Sequence, residues 1–442
     1  MYIVKTLFKG PTIVTMNSDA AVFKGNVLVE NNRIAYIGPN EPTADRVIFG
    51  EGKLLIPGLI QTHVHLSQTL FRSQADDLEL LDWLKNKIWP LEGAHDEESL
   101  YHSALLGISE LLLGGTTTLV DMQTVHHTDA AIHAIAESGI RATTGKVMMD
   151  HGEEVPGTLI QSTNDAIQES VDLLEKWHGK ENGRIQYAFT PRFVVSCTED
   201  LLKEVVSLSA KYGVRIHTHA SENKGEIEIV EKERGMRNVL YLDHIGMAAP
   251  NLILTHCIWL NDEEMDILQK RDVKVAHCPT CNIKLASGIA PIPEMLKRGI
   301  TVSLGADGAP CNNNLDIFQE MKMAALIQKP LHGPTVMPAR EVFKLATLGG
   351  ARAMGLENDI GSIEVGKKAD LVMIALDEPH VNPADGVDPY SLLVYSVRSS
   401  DVCLTMVDGK ILMENRELKT IDKDAVVKKS NISRVRLDKL TK

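Results

Sequence analysis

The chain carries two textures of apolar and polar positions. Near its start, short segments with apolar residues at alternate positions are separated by tight turns: "TIVTMN", "GNVLVENNRIAYIG" and "DRVIFG". Such alternation puts successive side chains on opposite faces and predicts half-buried strands. The texture returns only near the other end, in "ADLVMIAL" and "DVCLTMVDGKILMEN". Two strand-rich ends around a different middle predict one small β-sandwich domain built from both termini, residues 1–56 with 359–425.

The middle, residues 57–358, repeats another unit, a short apolar β-rich run followed by an amphipathic helical stretch. The runs are "GLIQTHVHL", "TTTLVDM", "IRATTGKVMM", "RIQYAFTPRF", "VRIHTHASE", "NLILTHCIW", "VKVAHCPT" and "ITVSLGADG". Between the fourth and fifth, "TEDLLKEVVSLSAKYG" brings Leu201, Leu202, Val205 and Val206 together at helical spacing and ends on Gly213, a helix stop. Eight β-then-α units predict the α/β class and a (β/α)8 TIM barrel, whose catalytic residues sit at the C-terminal strand ends. A doubly wound dinucleotide fold lacks support, because no GxGxxG turn follows an early strand.

If these runs are barrel strands, the polar residues that close them converge on one mouth. The first ends in His63 and His65, whose spacing of two puts both imidazoles on one side of a strand. The fifth ends in His217, His219 and Glu222, the sixth in His256, the seventh in His277 and the eighth in Asp307. Taken singly, each histidine is better explained as a hydrogen-bonded core residue. That explanation fails for the set, since these six of the 16 histidines fall at or near predicted strand ends. The others, His95 and His102 among them, read mostly as surface or structural residues. Neutral imidazoles with one carboxylate suit a borderline divalent cation, Zn²⁺ or Fe²⁺, held with a position open to water.

"PGLIQTHVHL", "HASE", "THC", "AHCPxxN" and "LGADG", in this order, resemble the amidohydrolase superfamily in its branch of hydrolytic deaminases. "GSIEVGKKADLV" resembles the segment by which that family re-enters its small β domain, so the likeness covers nearly the whole chain. The resemblance implies that His63, His65, His219 and Asp307 ligate one metal, zinc ahead of iron. It makes Glu222 the proton shuttle and sets His256 beside the bound water, so that Glu222, His256 and Asp307 are the catalytic residues. Two-metal members bridge their ions with a carboxylated lysine on strand four. "RIQYAFTPRF" has none, and Lys146 lies one strand too early, so a mononuclear site is expected. A bound divalent cation lowers the pKa of water from 15.7 to about 7, enough to attack a ring carbon that carries an amino group.

The substrate signals point two ways. "FRSQADDLELLDWLKNKIWPLE" resembles the long loop after strand one in methylthioadenosine, S-adenosylhomocysteine and 5′-deoxyadenosine deaminases, which implies substrate contacts by Trp89 and Glu92, the latter to ribose hydroxyls. "FTPRFVVSCTE", "HASENKGEIE" and "HLSQ" resemble guanine deaminases, in which residues matching Gln68, Arg192 and Phe193 hold the purine. His219, Glu222, His277 and Asn282 complete the expected substrate contacts. Adenosine-type nucleosides are placed first, because the loop and the strand-eight segment favour them. Guanine deamination and triazine amino- or chlorohydrolysis are the alternatives. Cys278 and Cys281 in "AHCPTCN" invite a metal clip. A zinc-dependent cytidine deaminase, however, carries PCxxC with a nearby HxE, and here the proline lies between the cysteines. They are expected to be bystanders.

Two non-enzymatic readings, a metal-free barrel scaffold and thiol-based metal or redox buffering, are weaker. The first should have lost a ligand or the shuttle, and none is missing. Composition narrows the partners further. A net charge of -13 and no Lys/Arg block interleaved with aromatics argue against nucleic acid, and the resemblance implies a small heterocyclic partner, a purine or a relative of it. The basic segment 426–442 is the exception and reads as a solvated tail or an edge helix. Six thinly spread cysteines, no apolar run long enough for a bilayer and no secretory signal at the start lead to an expectation of a cytoplasmic protein with no membrane partner; a homo-oligomer is allowed.

Overall fold

All eight apolar runs form strands, and neighbours pair in parallel. In the computed structural model they are β1 (Leu59–His65), β2 (Thr116–Met122), β3 (Arg141–Gly145), β4 (Ile185–Pro191), β5 (Arg215–Ala220), β6 (Leu252–His256), β7 (Lys274–His277) and β8 (Val302–Leu304), arranged in chain order across one sheet. The structure describes residues 4–152 and 155–441; the first three residues of segment 1–56 and Lys442 of the basic segment lie outside it.

The eighth run is divided. Its first part pairs with β7, and after Gly305 and Ala306 its second part, Asp307–Gly308, pairs with β1 through Asp307↔Val64 and Gly308↔His65. One run therefore touches both edges of the sheet and curls it round in the manner of a TIM barrel. Gly305 permits the crossing: a Cβ there would lie 2.5 Å from the His63 carbonyl oxygen. Every residue of β1 and β2 is buried, as expected for parallel strands covered on both faces.

The helix predicted before β5 is Glu199–Tyr212. The Thr198 side chain accepts from the Leu201 backbone N–H, and the helix ends on Gly213 at φ +68°. Leu201, Leu202, Val205 and Leu208 are buried, while Val206 is only half-buried.

Both ends of the chain build the remaining sheets. One has four strands, Lys5–Lys9, Asn26–Glu30, Arg33–Gly38 and Arg46–Phe49. The other has seven, from Thr12–Val14, Val22–Lys24 and Lys53–Pro57 on one side of the chain and Leu371–Ala375, Val402–Val407, Lys410–Glu414 and Glu417–Leu418 on the other. Phe8, Val27 and Ile34 of the first share an apolar cluster with Ile13, Leu55, Met373 and Leu404 of the second. Strand Lys53–Pro57 pairs antiparallel with Leu371–Ala375 and then runs through Gly58 straight into β1.

The basic segment is not a solvated tail. It lies in a helix, Lys423–Leu440, that starts before residue 426 and packs on the helix Glu97–Leu113. Val426, Ser430, Ser433 and Leu437 form the buried stripe, and Arg436 pairs with Asp96 and Glu98. Among the described residues no helix is long and apolar enough to cross a membrane.

Barrel and small sheets are joined by a buried ion pair. Arg141, at the start of β3, donates from Nε to Asp370 Oδ2 at 2.7 Å and from Nη2 to Asp370 Oδ1 at 3.0 Å. Asp370 Oδ1 also accepts the Asp408 backbone N–H at 2.7 Å. Arg141 Nη2 also meets Asp408 Oδ1 at 3.4 Å, so Asp370→Asn leaves the guanidinium one longer ion pair and is expected to lower stability by less than the ~3–5 kcal/mol of a stranded charge, read by chemical denaturation. The double replacement Arg141→Met with Asp370→Leu should recover only part of that loss, because Asp408 then loses Arg141 and its backbone N–H loses its acceptor.

Candidate active site

Every strand-end residue named from the sequence lies at one end of the barrel, and two are held in left-handed backbone. His256 has φ +71° and Asp307 φ +63°. Non-glycine residues pay for this conformation and keep it where the surrounding structure over-determines them, commonly at functional sites.

Four imidazoles and one carboxylate converge. His63 Nε2 lies 3.2 Å and His65 Nε2 3.4 Å from Asp307 Oδ1; His256 Nε2 lies 3.8 Å from Asp307 Oδ2. His63, His65 and Asp307 offer donor atoms within 4.8 Å of one another, and so do His63, His219 and His256. The rings are braced from behind. His65 Nδ1 donates to the Met122 carbonyl (2.8 Å), His219 Nδ1 donates to the Arg192 carbonyl (2.7 Å), and His63 Nδ1 meets His217 Nε2 at 2.7 Å. Carbonyl partners fix the protonated nitrogen of His65 and His219, which leaves each Nε2 lone pair for an ion. Burial lowers the pKa of His63, takes that of His65 to about 4 and holds that of His219 well below its ordinary value, so these rings are neutral. Burial pushes the Asp307 carboxyl up, but His63, His65 and His256 around it outweigh burial and hold it well below the usual carboxylate range. Neutral imidazoles, an ionised carboxylate and braced Nδ1 atoms fit a divalent cation.

Glu222 stands opposite in character. Burial, reinforced by the charges of Asp307 and Glu226, raises its pKa well above the usual value and so favours its protonated form. Its Oε2 lies 3.3 Å from His256 Nε2. His256 Nδ1 donates to Asn282 Oδ1 at 2.8 Å, which turns Nε2 toward Glu222.

Above these groups opens a cleft of about 380 Å³, counted to its solvent side. His65, His219, Glu222, His256, Asp307 and Arg192 form its polar floor and wall; Leu80, Trp83, Leu84, Phe193 and Leu285 form the apolar wall. Trp89 is not among the lining residues. It is buried in an apolar cluster with Phe71, Ile88 and Leu91, and Trp83 faces the cleft instead. Leu80, Trp83 and Leu84 share a helical face, while Trp89 lies beyond the π-helical turn Leu84–Ile88, which shifts the register. Glu92 and Gln68 also stand behind the wall: Arg192 Nη1 donates to Glu92 Oε2 at 2.6 Å and Gln68 Nε2 to Glu92 Oε1 at 2.8 Å. His277 is buried outside the lining, and neither ring nitrogen has a hydrogen-bond partner among the described residues.

Sequence reasoning missed the bracing contact of His217, the cleft-facing Trp83, and Glu226, whose carboxylate accepts the Glu222 backbone N–H at 2.8 Å. Lys146, buried beyond β3, pairs with Glu169 at 3.2 Å and does not reach the cleft.

The Amidohydrolase family matches residues 54–412. A 5′-deoxyadenosine deaminase of Methanothermobacter thermautotrophicus is 43% identical over 95% of this chain and 96% of its own. A 5-methylthioadenosine/S-adenosylhomocysteine deaminase of Moorella thermoacetica is 39% identical over 96% and 97%. The crystal structure of an adenosine deaminase from Xanthomonas campestris with bound zinc superposes with a TM-score of 0.92 at 30% identity, covering 99% of each chain.

His95 braces the loop that leaves β1: its Nε2 donates to the Ser67 carbonyl at 2.9 Å, and Nδ1 meets Ser99 Oγ at 2.9 Å. Burial lowers its pKa to about 4. Between about pH 4 and 6.5 the unfolded chain therefore binds a proton that the folded one refuses, and stability present at neutral pH falls as pH drops through that window. His95→Gln is expected to flatten the dependence by about 2 kcal/mol, read from denaturation midpoints at neutral pH and about pH 4.5.

Proposed function

The chain belongs to the amidohydrolase family, and from that premise we propose that it deaminates an amino-purine by hydrolysis and releases ammonia. Adenosine-type nucleosides are its first substrates: 5′-deoxyadenosine, methylthioadenosine and S-adenosylhomocysteine. The observation that carries the reading is two carboxyl groups set about one imidazole: Glu222 Oε2 lies 3.3 Å and Asp307 Oδ2 3.8 Å from His256 Nε2, with His63 and His65 on the far side of Asp307. Hydrolytic deamination needs this pairing, one group to give a proton to the ring and another to receive one from water.

His63, His65, His219 and Asp307 would hold one divalent cation, with zinc first because the Xanthomonas deaminase holds it. Bound there, it supplies the Lewis acidity that makes water nucleophilic near neutral pH. Glu222 passes its proton to the ring nitrogen beside the amino-bearing carbon, which makes that carbon electrophilic. Asp307 and His256 Nε2 receive the proton lost by water, and Asn282 keeps the imidazole turned toward the reacting atoms. That proton passes to the amino group, which departs as ammonia, while the hydroxyl left on the carbon returns its own proton to Glu222 and becomes a ring carbonyl. Water thus divides into the carbonyl oxygen, one proton on the ring nitrogen and one on ammonia. Leu80, Trp83, Leu84, Phe193 and Leu285 exclude bulk water and give the purine an apolar bed.

Glu92 can still serve a ribose. A carboxylate offers about four lone-pair sites, and Arg192 and Gln68 take one on each oxygen. A second reading is favoured by Arg192 itself, a permanent donor in the cleft wall that would suit the ring carbonyl of guanine. We assign the chemistry to a (β/α)8 barrel over 57–358 and a supporting β-sandwich domain to 1–56 with 359–425.

Zinc-loaded protein is expected to release ammonia from 5′-deoxyadenosine, methylthioadenosine and S-adenosylhomocysteine faster than from guanine or triazines, measured as kcat/KM across the series. Release from guanine alone would install the second reading, and release from none would overturn both. Glu222→Gln is expected to retain the metal, measured by elemental analysis, while kcat falls by about 10²–10⁴.

A further inference from the structure

Beside the hydrolytic centre lies a thiol cluster that the deamination chemistry leaves unused. Cys281 stands on the short helix after β7, Pro279–Lys284, and Cys311 on the one after β8, Ala309–Asn312. Both are fully buried, and the Cys311 thiol donates to the Gly308 carbonyl at 3.1 Å. Glu320 ties the two loops together, accepting from the Thr280 backbone N–H at 3.2 Å and from Asn312 Nδ2 at 2.9 Å. Cys281 Sγ, Cys311 Sγ and a carboxylate oxygen of Asp307 all lie within 4.8 Å of one another. The neighbour of Cys281 in sequence, Cys278, belongs to a different grouping, with His256 and Asp307.

We propose that Cys281, Cys311 and Asp307 form a second cation site, selective for a soft d¹⁰ ion and inhibitory because it shares Asp307 with the hydrolytic centre. Around one tetrahedral ion, two sulfurs and a carboxylate oxygen stand about 3.5–3.8 Å apart, so closure from 4.8 Å needs an inward shift of about 1 Å at most. Paired thiolates select Cd²⁺, Hg²⁺, Cu⁺ or surplus Zn²⁺ over hard ions. Binding exchanges ions without electron transfer: two S–H bonds break, two metal–sulfur bonds form, and two protons leave to solvent for each M²⁺ bound. The inhibitory consequence rests on the deaminase reading; the site itself does not.

The test titrates zinc-loaded protein with Cd²⁺, following the ultraviolet thiolate-to-cadmium charge-transfer band, bound cadmium and zinc per chain, and ammonia release. The wild type should bind one cadmium beyond its zinc, develop the band and lose activity in step. Cys281→Ser and Cys311→Ser should each weaken cadmium binding by about tenfold or more and resist inhibition, with basal ammonia release and zinc content kept. Cys278→Ser should behave as wild type. Cadmium that displaces zinc without a band, or that binds both serine variants as tightly as wild type, overturns the site. If the protein deaminates no purine, band and stoichiometry still decide the site, and only its inhibitory role falls.

Discussion

The crossing of the divided eighth run onto β1 is the contact on which the rest depends. It curls the sheet round onto its first strand, and the same two-residue segment that makes the pairing, Asp307–Gly308, carries the carboxylate that meets His63 and His65. Closure and chemistry are one event in this chain. Gly305 leaves room for the approach, and the left-handed backbone at Asp307 turns its side chain toward His63 and His65. A barrel that failed to close at this seam would also lose the geometry of its centre.

Burial then sets protonation in opposite senses on groups a few ångströms apart. Low dielectric disfavours the charged imidazoles and, for the same reason, shifts Glu222 toward its protonated form. The site therefore needs no cationic side chain at its floor to be ready for a positive ion. The single guanidinium in the cleft, Arg192, is neutralised by Glu92 one layer back.

Much of this was legible in the sequence because the relevant signals are local. Apolar runs with a polar residue at the end located all eight strands, and the HxH spacing put His63 and His65 on one side. What stayed hidden depends on contacts across the fold. His217 and His219 share a spacing of two, and nothing in the chain says which faces the centre and which braces His63. Trp83 and Trp89 differ by their place round a helical stretch that widens to a π-helical turn at Leu84–Ile88, and the sequence gives no sign of that register. The last segment reads in sequence as a solvated tail or an edge helix because two of the four residues on its buried stripe are serines, Ser430 and Ser433, which dilute the apolar period. Cys281 was read with its sequence neighbour, whereas its spatial partner is a cysteine from the next loop.

The passage of strand Lys53–Pro57 into β1 bears on how the molecule comes into being. The antiparallel neighbour of that strand, Leu371–Ala375, is synthesised about three hundred positions later, so the base of the first barrel strand emerges without its flanking partner. Pairing across so long a loop is slow to establish. Until it forms, an apolar edge is open to wrong pairings, and the nascent barrel waits for the end of its own chain.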